Sequence, residues 1–410
     1  MAPGRADALA VTGLGLVTPA GIGVEENWQR VLSGRSCATR DETLSGRPTD
    51  FSCRVPGFDP GELLGGFASW QLERFVQLAL VASRMAVADA DLDPLTWDGT
   101  RVGVVLGNSL GGAATFEEQH DTLRESGPAK VSPLLVTKYM PNMAAGYVAI
   151  DCGARGPSLV TATACASGAT AVGTARDLLR TGVCDVVLAG ASESALTPTV
   201  LAGLAKMGAL SRHREAPEHA SRPFDAERDG FVAAEAAGVL VLEREADARA
   251  RGAHVRALVR GYAASSDAHH ATAPHPEGRG IEQALRAALA DAGVGTSEVD
   301  HVNAHGTATP MNDLIEGRML SRVLGGRPAV TSTKGVTGHT LAAAGAIEAA
   351  YAVLAVERGV VPPTANLKNP DPAIDLDVVA GEARTGRIDT AVSTSLGFGG
   401  HNAALVLTAA

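Results

Sequence analysis

Short runs of Val, Ala and Leu recur along the chain and alternate with segments whose apolar residues return at helical spacing. The runs at 8–14, 102–106, 157–164, 185–189 and 238–242 predict strands, and several segments between them, including 169–180, predict helices. A second series follows. It begins with an apolar run from 255, then gives helix at 282–292, strand at 299–303, helix at 313–324, strand at 329–332, helix at 341–356, and strands at 390–395 and 403–407. Strand and helix in alternation predict an α/β fold. Two series of similar order predict a duplicated core, although no identity repeat links the halves. The joint falls at Gly252-Ala253 and divides the chain into residues 1–253 and 254–410. The stretches 34–66 and 212–229, rich in Gly, Pro and charge, read as excursions from the core of the kind that wall active sites.

Composition narrows the class. The 410 residues are 45% apolar, enough for a large core, yet only 4% aromatic, so Ala, Val and Leu must fill the interior and favour close packing of helices on sheets. A net charge of −10 without a long basic run argues against a nucleic-acid partner. Five cysteines, at 37, 53, 152, 165 and 184, are odd in number and include no C-x-x-C pair. That argues against a disulfide framework and a zinc ribbon, and a reducing cytosol fits best. The first ten residues lack the apolar core of a signal peptide, and no later segment gives about 18 to 20 unbroken apolar residues, so neither export by that route nor a membrane span is expected. His269, His270 and His275 lie in a loop-like segment without a neighbouring Cys, and a surface loop is expected there rather than a metal site.

Three polar side chains stand where a strand gives way to a helix. Cys165 ends the apolar run from Pro157 and is followed at once by Ala166-Ser-Gly168 and the 169–180 helix pattern. First-turn N–H groups and the helix dipole favour thiolate at such a position. A buried core cysteine is the alternative. His305 follows the strand at 299–303, and His339 stands between the strand-end loop carrying Lys334 and the Ala-rich helix at 341–356. Each histidine taken singly reads equally as a helix-capping residue. Three such groups in a chain of small apolar residues point to one reactive centre.

With these motifs in view the sequence resembles the β-ketoacyl-acyl carrier protein synthases, the elongating condensing enzymes of the thiolase superfamily. The resemblance runs over nearly the whole chain, through Val11-Thr-Gly-Leu-Gly15, Thr163-Ala-Cys-Ala-Ser-Gly168, Arg222-Pro-Phe-Asp-Ala-Glu-Arg-Asp-Gly-Phe231, Asn303-Ala-His-Gly-Thr307, Lys334 with Gly338-His339, and Gly397-Phe-Gly-Gly400. It implies a thiolase-like duplicated core, a five-layered αβαβα body, a dimer, and a Cys-His-His site between the halves. By resemblance, Cys165 carries an acyl chain as a thioester. The N–H groups of Cys165 and Phe398 form an oxyanion hole in a Phe398-Gly399 gate loop, and His305 and His339 assist loss of carboxylate from a malonyl extender. Lys334 pairs with Glu316, Thr307 and Thr309 bind phosphopantetheine, and Leu110 and Phe231 line the acyl pocket. No intrinsic cofactor or metal is expected, the substrates arriving on the phosphopantetheine of an acyl carrier protein.

Lys206, Arg212 and Arg214 are the expected docking residues for that acidic carrier. The segment Ala234-Glu-Ala-Ala237 departs from the family's Gly-Glu-Gly-Ala, and its extra methyl groups put the pocket shape in question. Fatty-acid elongation and the ketosynthase subunit of a type II polyketide synthase use the same catalytic set, so homodimer and heterodimer with a homologous chain-length factor both stay open. A non-catalytic acyl-carrier-binding partner would lack the nucleophile. An initiating enzyme using acyl-coenzyme A would carry Asn in place of His339.

Overall fold

The computed structural model describes residues 8–47, 49–65 and 69–410; positions 1–7 of the first half and 48 and 66 of the 34–66 excursion lie outside the described residues. In the first half the strands are β1 (Leu9–Thr18), β2 (Val102–Gly107), β3 (Ser158–Thr161), β4 (Val186–Glu193) and β5 (Ala236–Arg244). They lie in the order β3-β2-β4-β5-β1, with β2 parallel to β3 and β4, and β5 antiparallel to β4 and β1. The second half supplies β6 (Ala257–Ser266), β7 (His301–Asn303), β8 (Ala329–Thr331), β9 (Thr390–Gly397) and β10 (His401–Thr408). Their order is β8-β7-β9-β10-β6, with the same pattern of parallel and antiparallel neighbours. The duplication expected from element order is thus present in strand order and direction. Leu9–Val11 of β1 pairs with Ala257–Val259 of β6 and joins the two sets into one ladder.

Three helix layers separate and cover the sheets. The helices α1 (Arg74–Asp89) and α2 (Met143–Cys152) pack on the outer face of the first sheet, and α4 (Arg279–Ala292) and α5 (Pro310–Leu324) on that of the second. Between the sheets lie α3 (Ser167–Arg180) and α6 (Ala344–Arg358). Every residue of α6 from Ala344 to Val356 is buried, which explains why its sequence is apolar all round instead of striped. This is the αβαβα arrangement.

The two central helices begin alike. Ala164 opens a 3₁₀ turn with φ +49°, and four residues later Gly168 stands in α3; Leu341 opens another with φ +51°, and four residues later Gly345 stands in α6. A Cβ on Gly168 would lie 2.4 Å from the Ala346 nitrogen, and one on Gly345 would lie 2.6 Å from that of Ala169. Only hydrogen fits at either crossing point. These turns also account for two differences from expectation. The strand expected at 157–164 stops at Thr161, and the helix expected from 341 becomes regular only at Ala344, because positive-φ residues interrupt both. The charged stretch 243–251 likewise divides, Glu243 and Arg244 ending β5 and the helix running Glu245–Ala250.

His269 and His270 are exposed in a loop, as expected. His270 Nδ1 accepts N–H bonds from Thr272 and Ala273, and His275 Nδ1 accepts one from Glu277. They stabilise local turns.

Gly345→Ala is expected to lower stability by about 1–3 kcal/mol through overpacking, read as a fall in the thermal midpoint. Gly326→Ala, where a Cβ meets nothing within 4 Å, should leave the midpoint nearly unchanged.

Candidate active site

Cys165 sits in the 3₁₀ turn Ala164–Ala166, between β3 and α3. The turn is braced from below. Ser167 Oγ donates to the Ala164 carbonyl at 2.6 Å and accepts the Thr163 N–H at 2.9 Å. A non-glycine residue held at φ +49° directly before a nucleophile is backbone strain that the surroundings must enforce.

His305 follows β7, and His339 follows the short helix Lys334–Thr337 after β8. The backbone of the 232–234 segment brackets His339: its N–H donates to the Val232 carbonyl at 2.7 Å, and its carbonyl accepts the Ala234 N–H at 3.0 Å. The alanines of the 234–237 segment are therefore accommodated against the site, with Ala234, Ala236 and Ala237 fully buried. Phe231 meets His339 edge to face, ring centroids 4.9 Å apart.

The three groups converge. His339 Nε2 lies 3.2 Å from Cys165 Sγ, and the His305 and His339 rings stand nearly perpendicular with centroids 5.3 Å apart. One donor atom from each of the three residues falls within 4.8 Å of the others. A metal ion held there would lie close to the Lys334 ammonium, 3.3 Å from His305 Nδ1, so the donor set suits hydrogen bonding better than a cation.

Lys334 does not pair with Glu316. Its Nζ is bonded to Glu348 of α6 and to His305 Nδ1. Glu316, on α5, faces the other side of His305: Oε1 accepts the His305 N–H and Oε2 the Gly306 N–H, each at 2.8 Å, and Thr394 Oγ1 donates to Oε1 at 2.7 Å. Glu316 thus fixes the histidine's backbone while Lys334 orients its ring. Glu348 was missed in the sequence although it carried a signal. It is the one charged residue between Leu341 and Val356, and a lone charge inside a buried helix requires a partner.

These contacts set protonation states. Burial, reinforced by the Lys334 charge, holds both histidines well below the usual imidazole range, so both are neutral. Because Nδ1 of His305 faces the Lys334 ammonium, its proton resides on Nε2. Burial also raises the Glu348 carboxyl to about 7 against the pull of Lys334. For Cys165 the expectation of an anionic sulfur is corrected. Burial pushes its thiol up to about 12, outweighing Lys334 and the backbone N–H. The resting sulfur is a thiol whose proton has a neutral acceptor in His339.

A cavity of about 680 Å³ opens onto these groups, its lining largely apolar, with Leu110, Leu204, Met207, Phe231 and Leu396 among the walls. Thr307 and Thr309 also line it, their hydroxyls 2.8 Å apart. Thr309 holds the N-cap position of α5 but makes no side-chain cap, so its hydroxyl is not spent on the helix. Phe398 lies partly exposed on the cavity wall between Gly397 and Gly399. A Cβ on Gly397 would fall 2.4 Å from the Thr163 carbonyl and 3.2 Å from the Cys165 nitrogen, so this loop lies against the nucleophile turn. Gly399 donates its N–H to the Ala271 carbonyl and is a loop anchor, not an oxyanion donor. Of the basic residues, Lys206 and Arg212 are exposed, while Arg214 is tied to Asp50 at 3.0 Å.

Comparison with known proteins shows the family to which this fold belongs. The model of the β-ketoacyl synthase N-terminal domain matches residues 6–248, and that of the C-terminal domain matches residues 256–368. The 3-oxoacyl-[acyl-carrier-protein] synthase 2 of Synechocystis sp. is 42% identical over 403 residues, covering 97% of each chain. Among solved structures, the ishigamide ketosynthase/chain length factor superposes with a TM-score of 0.92 at 33% identity, covering 98% of this chain and 99% of that one. A ketosynthase of a type II polyketide synthase, solved with its acyl-carrier protein and bound to the hexaketide, gives 0.91 at 35% identity with the same coverage. With both family models matched across most of its length, this chain belongs to the β-ketoacyl synthase family.

Proposed function

We propose that the protein is a 3-oxoacyl-acyl carrier protein synthase, which lengthens an acyl chain by decarboxylative Claisen condensation. The observation that carries this reading is the 3.2 Å approach of His339 to Cys165, beside a neutral His305, at an apolar cavity. The halves 1–253 and 254–410 divide the labour, the first supplying the nucleophile and the second both imidazoles.

In the first step the Cys165 sulfur attacks the acyl thioester of a carrier protein. A carbon–sulfur bond forms to Cys165, the bond to the carrier's phosphopantetheine sulfur breaks, and the thiol proton passes by way of His339 to the departing thiolate. The N–H groups of Cys165 and Phe398 face the tetrahedral oxyanion; fixed donors of this kind contribute roughly 3–4 kcal/mol. A malonyl thioester then enters, its phosphopantetheine amides held by Thr307 and Thr309. With the sulfur acylated, His339 Nε2 no longer faces a thiol proton and carries the ring's N–H itself. His305 and His339 then both donate N–H to the thioester carbonyl oxygen while the bond to carboxylate breaks, releasing carbon dioxide and leaving an enolate. The enolate carbon attacks the acyl-Cys165 carbonyl, and the sulfur leaves and takes a proton, supplied by solvent by way of His339, to become a thiol again. The product is a 3-oxoacyl chain two carbons longer. No electron changes hands overall, so these steps call on no redox cofactor.

Neutral histidines suit this chemistry because they donate N–H without a charge that would be costly to bury. Burial, reinforced by Lys334, keeps them neutral, and Glu348 balances Lys334.

The protein acts as a dimer through the edge strand β3. Leu159 on that strand, with Phe116, Val136, Tyr139 and Ile150 nearby in sequence, are exposed apolar side chains in one stretch of the chain. Edge strands of this kind seek a partner. A second copy of this chain and a homologous chain-length factor both fit; activity of the chain purified alone marks the first, and dependence on a co-expressed homologue marks the second and a polyketide pathway. The five cysteines are unbridged and suit a reducing cytosol. Among the described residues no helix is long and apolar enough to cross a membrane.

Incubation with an acyl carrier substrate should add one acyl mass to the wild-type protein and none to Cys165→Ala; an adduct that survives the substitution would remove Cys165 as the nucleophile. His305→Ala should slow malonyl decarboxylation about 10²–10³-fold. A histidine held well below 6.5 is already deprotonated at pH 6, so neither imidazole should add an acid limb to the decarboxylation rate between about pH 6 and 8, the window in which the Glu348 carboxyl, raised to about 7, titrates. An acid limb with its midpoint near 6.5 that persists in Glu348→Gln would contradict the assignment.

A further inference from the structure

Glu193, the last residue of β4, is completely buried and forms no ion pair among the described residues. Instead its carboxylate gathers N–H groups from the turn that follows β2. Oε2 accepts the Ser109 N–H at 3.0 Å and the Leu110 N–H at 3.2 Å, and Oε1 accepts Asn108 Nδ2 at 3.2 Å. Asn108 completes the turn, donating to the Ser192 carbonyl at 2.7 Å and accepting the Gly111 N–H at 2.8 Å. A buried carboxylate without a cation is costly, and burial raises this one to about 7 despite its donors.

The turn it holds reaches two parts of the active site. Leu110 forms part of the cavity wall, as does Ser109. Ser109 Oγ also lies 3.1 Å from Ser167 Oγ and donates to the Ala164 carbonyl at 3.4 Å, so it helps brace the strained residue before Cys165. One carboxylate therefore fixes both the cavity wall and a support of the nucleophile turn.

We infer that Glu193 is a positioning residue that sets the seat of Leu110 and thereby the acyl chain lengths that Cys165 accepts. This inference rests on the reading of the cavity as the acyl site. Replacing the carboxylate by an amide leaves one oxygen for three donors, so an N–H must face either Asn108 Nδ2 or the Ser109 and Leu110 N–H groups, and the turn loosens. The change falls on acyl selectivity more than on decarboxylation, which takes place at His305 and His339.

The test offers wild type, Glu193→Gln, Leu110→Ala and the double variant an equimolar mixture of hexanoyl- and dodecanoyl-carrier donors, and reads the Cys165 adducts by intact mass. Glu193→Gln should shift the ratio of long to short adducts by about fivefold or more, while the malonyl decarboxylation rate moves by less than the ratio does. Leu110→Ala should also shift the ratio, and Glu193→Gln should add little in that background, because the two act through one wall. An unchanged ratio overturns the inference, as does an equal fall in acylation and decarboxylation, which marks general damage only. Where Glu193→Gln does not fold, Glu193→Asp keeps the charge but shortens its reach, and is judged by the same two outcomes. Absence of any adduct on the wild type would sink the acyl-site reading itself, whereas normal wild-type acylation with an unmoved ratio would sink only the role of Glu193.

Discussion

The two central helices touch at their first turns, and the catalytic distance depends on that contact. Gly168 and Gly345 leave no room for a Cβ against the facing backbone, so α3 and α6 start in near contact. Each helix is entered through a 3₁₀ turn opened by a positive-φ residue, Ala164 in one half and Leu341 in the other. In the first half the second residue of this turn is Cys165; in the second it is Ala342. The duplicated scaffold therefore offers two equivalent positions for a nucleophile and fills one. The other half contributes the loop just ahead of its turn, where His339 stands 3.2 Å from the sulfur. Strain in the two turns is supported by packing from both sheets, which is the condition under which such strain persists.

The electrostatics follow from putting this contact in the middle layer. Histidines buried among small apolar side chains resist protonation, and the ammonium of Lys334 between them and α6 makes protonation harder still. A buried lysine needs its own counter-charge, which Glu348 supplies from within an otherwise apolar helix. Removing either member leaves the other stranded, a loss of about 3–5 kcal/mol for a buried pair. The result is a site that keeps its imidazoles neutral and its sulfur protonated at rest, so that charge develops only once substrate is bound.

Much of this was legible in the sequence, for identifiable reasons. Strand and helix alternation gave the α/β class, and the three strand-end groups marked Cys165, His305 and His339 because a reactive side chain must stand where regular structure releases the backbone. The repeat was visible only as similar element order, since Ala164 to Gly168 and Leu341 to Gly345 share conformation and a glycine but almost no side chains. The partner of Lys334 was misassigned to Glu316, which lies nearer His305 in sequence; the correct partner, Glu348, comes from the helix that the glycine contact brings alongside. The thiol was read as anionic from its place before a helix, and burial reverses that direction. Glu193 gave no local signal, because its partners at 108–110 are remote in sequence and meet it only across the sheet.

A single turnover tests the central claim most directly. Protein carrying an acyl group on Cys165 is mixed with a malonyl carrier substrate labelled with carbon-13 in its free carboxylate, and labelled carbon dioxide and products are followed together. The account predicts one labelled carbon dioxide for each 3-oxoacyl chain formed, with Cys165 returned unmodified. Release of label while the acyl group stays on Cys165 or is lost to water would contradict it.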